Sequence, residues 1–146
     1  MKRLLVTGLD GFVGRFVRQS VDCGLARSKF QLATPDHAIE LLDPASLTNA
    51  VQQVVPDLVL HLAAQSFVPS AISNPHATYH VNFFGTLNLL EALDASGFTG
   101  RMLYVSSGEV YGLVAENELP IRETHAVKPR NPYSVSKAAA ELLCYQ

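Results

Sequence analysis

The chain has 146 residues, of which 48% are hydrophobic and 16% charged, and its formal net charge is -2. These values are ordinary for one soluble globular domain, and the balance of charges gives no basic surface for nucleic acid. No run of Lys or Arg marks a membrane surface, and every apolar stretch is shorter than the roughly 18 residues of a membrane-spanning helix. The N-terminus enters a predicted strand without a signal-peptide pattern. We therefore expect a cytoplasmic protein that binds neither nucleic acid nor membrane.

The first predicted strand, near residues 3–7, leads directly into a glycine-rich turn. Three glycines follow it at the spacing GxxGxxG, namely Gly8, Gly11 and Gly14. The first permits a tight turn, the second lets a pyrophosphate approach the backbone, and the third lets the helix predicted near 12–23 pack closely on the strand. Phe12 and Val13 belong to the same cofactor-binding turn and begin the sheet-facing side of that helix. The segment predicts a dinucleotide cofactor, NAD or NADP.

Adenosine recognition is predicted at the end of the second strand, near residues 30–34. An acid about 20 residues after a glycine turn normally binds the ribose hydroxyls. Asp36 is the nearest candidate, although it could equally be a solvated residue of a turn. No Arg stands nearby in the sequence to receive the 2'-phosphate of NADP, so the choice between NAD and NADP stays open.

Two further strands lead into residues that suit a ligand site. The strand near 57–61 leads into a segment against which a flat cofactor could lie, with cofactor-binding positions at Leu62, Ala63 and Ala64. The strand near 101–106 is followed by the hydroxyl of Ser107 and the carboxylate of Glu109. Ligands of open α/β sheets bind at the carboxyl ends of the strands. Both segments are therefore candidates for one site.

Tyr133 and Lys137 stand four residues apart at the start of a helix predicted near 132–146, which puts a phenol and an ammonium on one face. A free tyrosine has a pKa of about 10, and a neighbouring cation favours the phenolate. The competing interpretation is a packed tyrosine beside a lysine that reaches solvent. Together with the three cofactor-type segments, the pair favours acid–base chemistry.

The predicted elements alternate between strands and helices, with two more helices near 44–54 and 75–96. This alternation predicts a single α/β domain over residues 1–146, built on a doubly wound parallel sheet of the Rossmann type. The right-handed crossover rule and the Rossmann order predict the strand order 3-2-1-4. Three helix starts combine an N-cap side chain with a following proline, at Asp43, Asn74 and Asn131.

Five segments occur in order along nearly the whole chain: TGLDGFVG, HLAAQS, NFFGTLNLLEA, YVSSGEVYG and NPYSVSK. Together they resemble the extended short-chain dehydrogenase/reductase family, in particular its nucleotide-sugar branch of epimerases, 4,6-dehydratases and 4-ketoreductases. The resemblance implies a catalytic triad of Ser107, Tyr133 and Lys137, in which Ser107 polarises the reacting carbonyl. It also implies that Lys137 binds the nicotinamide ribose.

The same resemblance assigns supporting positions. It implies that Asn82 supports the catalytic network, and that Glu40 and Leu41 contact the adenine. Members of this family are considerably longer than this chain. We therefore expect the cofactor-binding half, truncated before the later strands and the C-terminal part that binds the substrate.

The implied chemistry is reduction of a ketone, in which Tyr133 gives a proton to an oxygen held by Ser107 and hydride comes from the nicotinamide. The motifs are most similar to those of enzymes that reduce GDP-4-dehydro-6-deoxy-D-mannose to GDP-D-rhamnose. Where dehydratases carry carboxylates after the serine, this chain has Gly108 and Glu109. Glu109 keeps a 4,6-dehydratase possible. A nucleotide-sugar 4-epimerase and an inactive cofactor-binding fragment also stay open.

The resemblance also implies a homodimer that pairs through the helices near 75–96 and 132–146. Cys23 and Cys144 fit neither a metal cluster nor a disulfide framework, and we expect buried or half-buried thiols. His61 and His125 have no paired ligand at a metal-binding spacing, so no metal site is predicted. We expect His61 to be a hydrogen-bonded core residue.

Overall fold

The computed structural model describes residues 1–24 and 29–146 and contains a four-stranded parallel sheet. The strands are β1 (Lys2–Thr7), β2 (Phe30–Leu32), β3 (Leu58–His61) and β4 (Arg101–Tyr104). The α-helices are α1 (Phe12–Asp22), α2 (Pro44–Val54), α3 (Val68–Ser73), α4 (Pro75–Tyr79), α5 (Gly85–Ala95) and α6 (Pro132–Tyr145). A π-helix, His80–Phe84, joins α4 to α5, and 3-10 helices span Gly108–Tyr111 and Glu116–Glu118.

The strand order is β2-β1-β3-β4, so the predicted order 3-2-1-4 is wrong. Leu4 of β1 pairs with Leu32 of β2 on one side and with Leu58 of β3 on the other. The prediction assumed that the third strand in sequence lies beyond β2. In the structure β3, which follows α2, pairs instead with β1 on the side away from β2, and the order of strands reverses there.

Helices flank both faces of the sheet, which makes the fold Rossmann-like and doubly wound, as predicted. β2 and β3 lie on opposite sides of β1, and right-handed crossovers to them pass over opposite faces. α1 packs beside β2, whereas α2 packs against α5 and α5 against α6. The switch in direction between β1 and β3 opens a crevice at their carboxyl ends, where ligands of such sheets bind.

The hydrophobic core lies between the sheet and the layer formed by α2 and α5. Leu5 and Val59 from the strands pack with Leu47 and Val51 of α2 and with Leu89 of α5, and all five are at most 2% exposed. Burial of a side chain of this size stabilises a fold by about 1.5–3 kcal/mol. This layer therefore fixes β1 and β3, the two strands that border the crevice.

The opposite face of β4 is open. Side chains alternate between the two faces along a strand, so Leu103 points away from the layer of α2 and α5. Leu103 is 63% exposed, and Val105, two residues further on, is 39% exposed. A leucine this exposed in the sheet marks an apolar surface that the described part of the chain does not cover.

The long helix predicted at 75–96 consists of three pieces, α4, the π-helix and α5, and the short helix α3 precedes them unpredicted. The predicted caps are confirmed, since the side chains of Asp43, Asn74 and Asn131 accept hydrogen bonds from backbone amides of α2, α4 and α6. The expectation of buried thiols is wrong, because Cys23 and Cys144 are both exposed. Both lie at or near the solvent-exposed C-terminal ends of their helices.

Candidate active site

The glycine turn is a close-packed cradle in which side chains would collide with backbone. Gly8 has a φ of +75°, and a Cβ there would lie 2.7 Å from the amide nitrogen of Ala63. A Cβ on Gly14 would lie 2.3 Å from the carbonyl oxygen of Gly8. The turn therefore brings β1, the segment after β3 and the start of α1 into contact. Such a cradle at a helix N-terminus fits the pyrophosphate of a dinucleotide.

A cleft of about 310 Å³, the catalytic cleft, opens beside this turn. Ten of the predicted site residues line it: Gly8, Gly11, Phe12, Val13, Gly14, Leu62, Ala63, Ala64, Tyr133 and Lys137. The glycine turn, the end of β3 and the start of α6 thus meet at one place. The structure places the acid–base pair next to the segments predicted to hold the cofactor.

Phe12 and Val13 lie on the cleft rather than on the sheet. Their side chains are 74% and 52% exposed, so the expectation that they begin the sheet-facing side of α1 is wrong. In α1 the buried residues are instead Gly14 and Val21. The two apolar side chains form an accessible rim of the catalytic cleft.

Lys137 is a buried cation, 4% exposed, and its Nζ lies 4.3 Å from the centroid of the Tyr104 ring. This geometry is that of a cation–π contact. Burial lowers the pKa of Lys137 to about 8, with Glu141 and Cys144 acting in the opposite direction. Burial also raises the pKa of Tyr104, so that its ring stays a neutral partner. The ammonium is therefore held in a low-dielectric position on α6, at the surface of the catalytic cleft.

Two neighbouring serines have different surroundings. Ser106 lines the catalytic cleft, and its buried Oγ has no hydrogen-bond partner within residues 1–24 and 29–146. Ser107, in an extended conformation, does not line that cleft, and its Oγ accepts from the amide of Glu109 at 3.2 Å. A buried hydroxyl without a partner costs free energy unless a ligand satisfies it. Ser106 is one of two hydroxyls at the end of this strand in the sequence, but only Ser107 was predicted as a site residue.

Glu109 is exposed, and its Oε2 accepts a hydrogen bond of 2.8 Å from Nδ2 of Asn131. Asn131 is the N-cap of α6, and its Oδ1 accepts from the amide of Ser134 at 2.8 Å. The carboxylate of Glu109 therefore braces the start of the helix that carries Tyr133 and Lys137. It does not line the catalytic cleft.

Asn82 lies in the π-helix, 2% exposed, and does not touch the cleft surface. Its Oδ1 accepts from the amide of Gln65 at 2.7 Å, and its Nδ2 donates to Gln65 O at 3.0 Å and to Ser136 Oγ at 2.9 Å. Ser136 is the residue directly before Lys137. Asn82 thus connects the segment after β3 to α6, the helix that carries Tyr133 and Lys137.

A second cleft of about 500 Å³, the adenosine cleft, lies on the other side of the glycine turn. Glu40 lines it as predicted, together with Arg18, Thr34 and His37, which the sequence did not single out. The expectation that no Arg stands near the adenosine site is wrong. Arg18 is distant from Asp36 in sequence, but it lies on α1 a turn beyond Gly14, where the helix passes beside β2.

Two predicted adenosine contacts lie elsewhere. Asp36 is hydrogen-bonded to Gln53 of α2 through both its amide and its carboxylate, and it does not line the adenosine cleft. Leu41 is 8% exposed and packs in the core against Gly85, where a Cβ would lie 2.9 Å from that of Leu41. Leu41 therefore supports the cleft from behind and does not line it.

A sequence profile described as GDP-mannose 4,6 dehydratase matches residues 25–146. The chain belongs to the GDP-mannose 4,6-dehydratase family, within the extended short-chain dehydrogenases/reductases. It is 50% identical over 145 residues to the GDP-6-deoxy-D-mannose reductase of Pseudomonas aeruginosa, and the match covers 99% of this chain. It is 36% identical over 159 residues to a dTDP-glucose 4,6-dehydratase of Mycobacterium tuberculosis, across 97% of this chain.

Solved structures of family members have the same fold. The RMD structure from Pseudomonas aeruginosa complexed with NADPH superimposes with a TM-score of 0.93 and is 49% identical, covering 99% of this chain and 48% of that one. A UDP-glucose 4-epimerase from Thermus thermophilus, in complex with NAD, gives a TM-score of 0.85 at 31% identity, over 98% of this chain and 50% of that one. Of these two similar structures, one is thus a complex with NADPH and the other a complex with NAD.

This family member spans about half the length of its relatives, 47% of both the reductase and the mycobacterial dehydratase. Among the described residues, no helix is long and apolar enough to cross a membrane. Within the same residues, no group of three or more His, Cys, Asp or Glu side chains is arranged to hold a metal ion.

Proposed function

We propose that this chain is the cofactor-binding half of an NADPH-dependent reductase that converts GDP-4-dehydro-6-deoxy-D-mannose to GDP-D-rhamnose. The observation that carries the proposal is the 50% identity to a GDP-6-deoxy-D-mannose reductase across 99% of the chain. Dehydratases matched across 95–98% of the chain are 33–36% identical, and one matched across 71% of it is 41% identical. The catalytic cleft supports it, because Tyr133 and Lys137 line the same surface as the glycine turn.

In the proposed mechanism Tyr133 is the proton donor to the 4-keto oxygen, and Lys137 assists by its charge. Lys137 is buried beside the Tyr104 ring, so its ammonium is held in place and poorly screened by water. Ser107 does not line the catalytic cleft and is proposed to hold the sugar ketone rather than the coenzyme. The unpartnered Oγ of Ser106 is available to a group that enters the cleft. The nicotinamide, when bound, supplies the hydride.

Reduction is favoured over dehydration by the environment of Glu109. A 4,6-dehydratase needs a base that removes the proton at C5, and Gly108 cannot act as one. The carboxylate of Glu109 already accepts a hydrogen bond of 2.8 Å from Nδ2 of Asn131, the N-cap of α6. A dehydratase remains the second candidate because the family profile carries that description. A nucleotide-sugar 4-epimerase would use the same serine, tyrosine and lysine with a retained cofactor.

The adenosine cleft favours NADPH over NADH. Arg18 lines it, and its ion pair with Asp10 is exposed, with 3.3 Å between Nη2 and Oδ1. Exposed ion pairs contribute little, so a phosphate dianion can compete for the guanidinium. Asp36, whose charge would repel a 2'-phosphate, is turned onto Gln53 instead.

A homodimer is part of the proposal. Phe84 of the π-helix is 45% exposed, and Leu142 of α6 is 70% exposed. These apolar side chains lie on the two helical segments through which we expect two copies to pair.

The test is titration of the purified chain with NADPH and NADH, followed by nicotinamide fluorescence, which the chain's lack of tryptophan leaves free of interference. Binding with a preference for NADPH is the expected result. The protein extended to the length of its relatives should then oxidise NADPH in a one-to-one ratio with GDP-4-dehydro-6-deoxy-D-mannose. An epimerase or dehydratase would convert its sugar with no net oxidation of NADPH. Absence of binding by either coenzyme would favour an inactive fragment.

A further inference from the structure

A buried run of hydrogen bonds begins at the floor of the catalytic cleft. The amide of Ala63, which lines the cleft, donates to Thr7 Oγ1 at 3.3 Å. Thr7 Oγ1 lies 2.5 Å from Nδ1 of His61, and Nε2 of His61 lies 3.0 Å from Oγ1 of Thr86. Thr86 Oγ1 in turn donates to the carbonyl oxygen of Asn82 at 2.7 Å. Thr7, His61, Thr86 and Asn82 are each at most 2% exposed.

The carbonyl oxygen at the end of this run fixes which atom donates and which accepts in each of its hydrogen bonds. A carbonyl oxygen can only accept, so the single hydroxyl proton of Thr86 is committed to Asn82. Nε2 of His61 must therefore be the donor to Thr86. In a neutral imidazole the other nitrogen is then an acceptor, and Nδ1 accepts the hydroxyl proton of Thr7. His61 is thus defined as the neutral tautomer with its proton on Nε2.

A second run of hydrogen bonds continues from Asn82 to α6. The side-chain amide of Asn82 donates to Ser136 Oγ at 2.9 Å, and Ser136 Oγ donates to the carbonyl oxygen of Tyr133 at 2.6 Å. This run also ends on a carbonyl, which fixes its direction. The two runs meet at Asn82, and together they connect Ala63 with the backbone of Tyr133.

We propose that His61 is a positioning residue, and that its neutral Nε2–H tautomer aligns the buried hydrogen bonds that hold Tyr133 and Lys137 in register with the glycine turn. The proposal goes beyond the triad, and it rests on the proposed function only in treating Tyr133 as the proton donor. Within residues 1–24 and 29–146, no ion pair joins β1 to α6. Loss of the link at Thr86 would leave both elements folded and the catalytic side of the cleft less well aligned.

The titratable groups that face His61 are Lys137 and Tyr104. The Tyr104 ring lies 5.7 Å from that of His61 between centroids, and Lys137 stands over the same ring. Burial first, and then the charge of Lys137, lower the pKa of His61 to about 4. The surroundings therefore favour the neutral imidazole that the hydrogen-bond directions require.

The first measurement is direct detection of the tautomer by long-range proton–nitrogen correlation NMR on the uniformly labelled chain. We expect His61 to show a protonated Nε2 and an unprotonated Nδ1 throughout the neutral range. A proton on Nδ1, or titration at the ordinary pH of a histidine, would overturn the proposal. This measurement needs no coenzyme, so it stands even if the proposed function fails.

The second measurement uses Thr86→Val, an isosteric change that removes the hydroxyl between His61 and Asn82. In the proposed binding mode NADPH spans both clefts, whereas 2',5'-ADP occupies only the adenosine cleft. We expect Thr86→Val to weaken NADPH binding about fivefold, the value of roughly one hydrogen bond, and to leave 2',5'-ADP binding unchanged within about twofold. Thr86→Ser, which keeps the hydroxyl, should restore NADPH affinity.

Thr48→Val is the matched control, because Thr48 of α2 donates to Pro44 O at 2.9 Å in the same helical geometry but belongs to neither run. It should change the affinity for neither ligand. Equal weakening of both ligands by Thr86→Val would indicate a general loss of structure and would reject a positioning role. An unchanged NADPH affinity in that variant would reject it as well. If the wild-type chain binds 2',5'-ADP but not NADPH, the proposed function fails. The NMR measurement of the His61 tautomer then still tests the positioning role of His61, because it needs no coenzyme.

Discussion

The two clefts on either side of the glycine turn are built in different ways. The catalytic cleft is backed by buried groups with fixed hydrogen bonds, and its central ammonium, on Lys137, is 4% exposed. The charged side chains of the adenosine cleft are exposed, including Arg18, whose ion pair with Asp10 is open to solvent. Buried polar networks are costly to disturb, whereas exposed pairs are exchanged with little loss. Under the proposed function, this difference predicts that the buried side controls the chemistry and the exposed side controls the choice of coenzyme.

The glycine turn lines both clefts, so a side chain added in this turn should weaken ligand binding in both of them. A Cβ at Gly14 would lie 2.3 Å from Gly8 O and 2.5 Å from Leu9 O, both of them backbone atoms. Gly14→Ala should cost about 3 kcal/mol of overpacking or turn distortion and weaken NADPH and 2',5'-ADP alike by over about a hundredfold. Titration of each ligand measures the loss.

Gly108→Ala is the control for that substitution, because a Cβ at Gly108 meets nothing within 4 Å. It should bind both ligands as the parent does. If Gly14→Ala retained parental affinity, the turn would have to be far more adaptable than its contacts indicate.

The buried hydrogen-bonded groups behind the catalytic cleft should make the free energy of unfolding depend on pH in the acid range. Unfolded histidine takes up its proton near pH 6.5, but burial lowers the pKa of His61 to about 4. Between these values the unfolded state binds more protons, so the free energy of unfolding should fall as the pH falls from 6.5 to 4. The contribution is about 3 kcal/mol from this group alone. Urea melts across that range measure it.

Other groups titrate in the same range, so the pH slope of the parent needs a reference. His61→Leu should flatten the slope, whereas substitution of the exposed His76 by Asn should leave it as it is. Equal slopes for the parent and the His61→Leu variant would show that His61 is already charged or solvated in the folded state.

On the exposed side, Arg18→Ala should lower the preference for NADPH over NADH about tenfold. The reason is the loss of a charge-assisted hydrogen bond to the 2'-phosphate, worth roughly 1.5–3 kcal/mol and smaller at high salt. Parallel titrations at two ionic strengths measure the ratio. Arg15→Ala removes an equal charge from the same helix outside the cleft and should change the ratio little. Equal effects of both substitutions would point to long-range attraction rather than contact.

The smallest effect is expected at Asp36. Because its carboxylate is bound to Gln53, Asp36→Asn should keep that contact and change NADH affinity by less than about twofold. A tenfold loss in NADH titration would instead restore Asp36 as the ribose acid that the sequence spacing predicted.

The sequence predicted the catalytic side of the molecule better than the adenosine side. The glycine spacing, the strand ends and the Tyr133–Lys137 pair depend on local backbone geometry, which residue type reveals directly. The placement of Asp36 depends on its contact with Gln53 of α2, and the placement of Arg18 depends on where α1 passes beside β2. These tertiary contacts leave no periodic signal in the sequence. The strand order was missed for a similar reason, since the side of β1 on which β3 pairs is a tertiary contact that changes no motif.

The π-helix at His80–Phe84 holds one residue more per turn than the α-helices on either side. In an α-helix an added residue rotates everything beyond it by about 100° around the helix axis, but the wider turn of a π-helix accommodates the extra residue within itself. Thr86, which follows the wide turn, therefore faces His61 as it would on a continuous α-helix that is one residue shorter. The wide turn contains Asn82, so the length of this segment, and not only its composition, decides where the backbone carbonyl and the side chain of Asn82 meet Thr86 and Ser136.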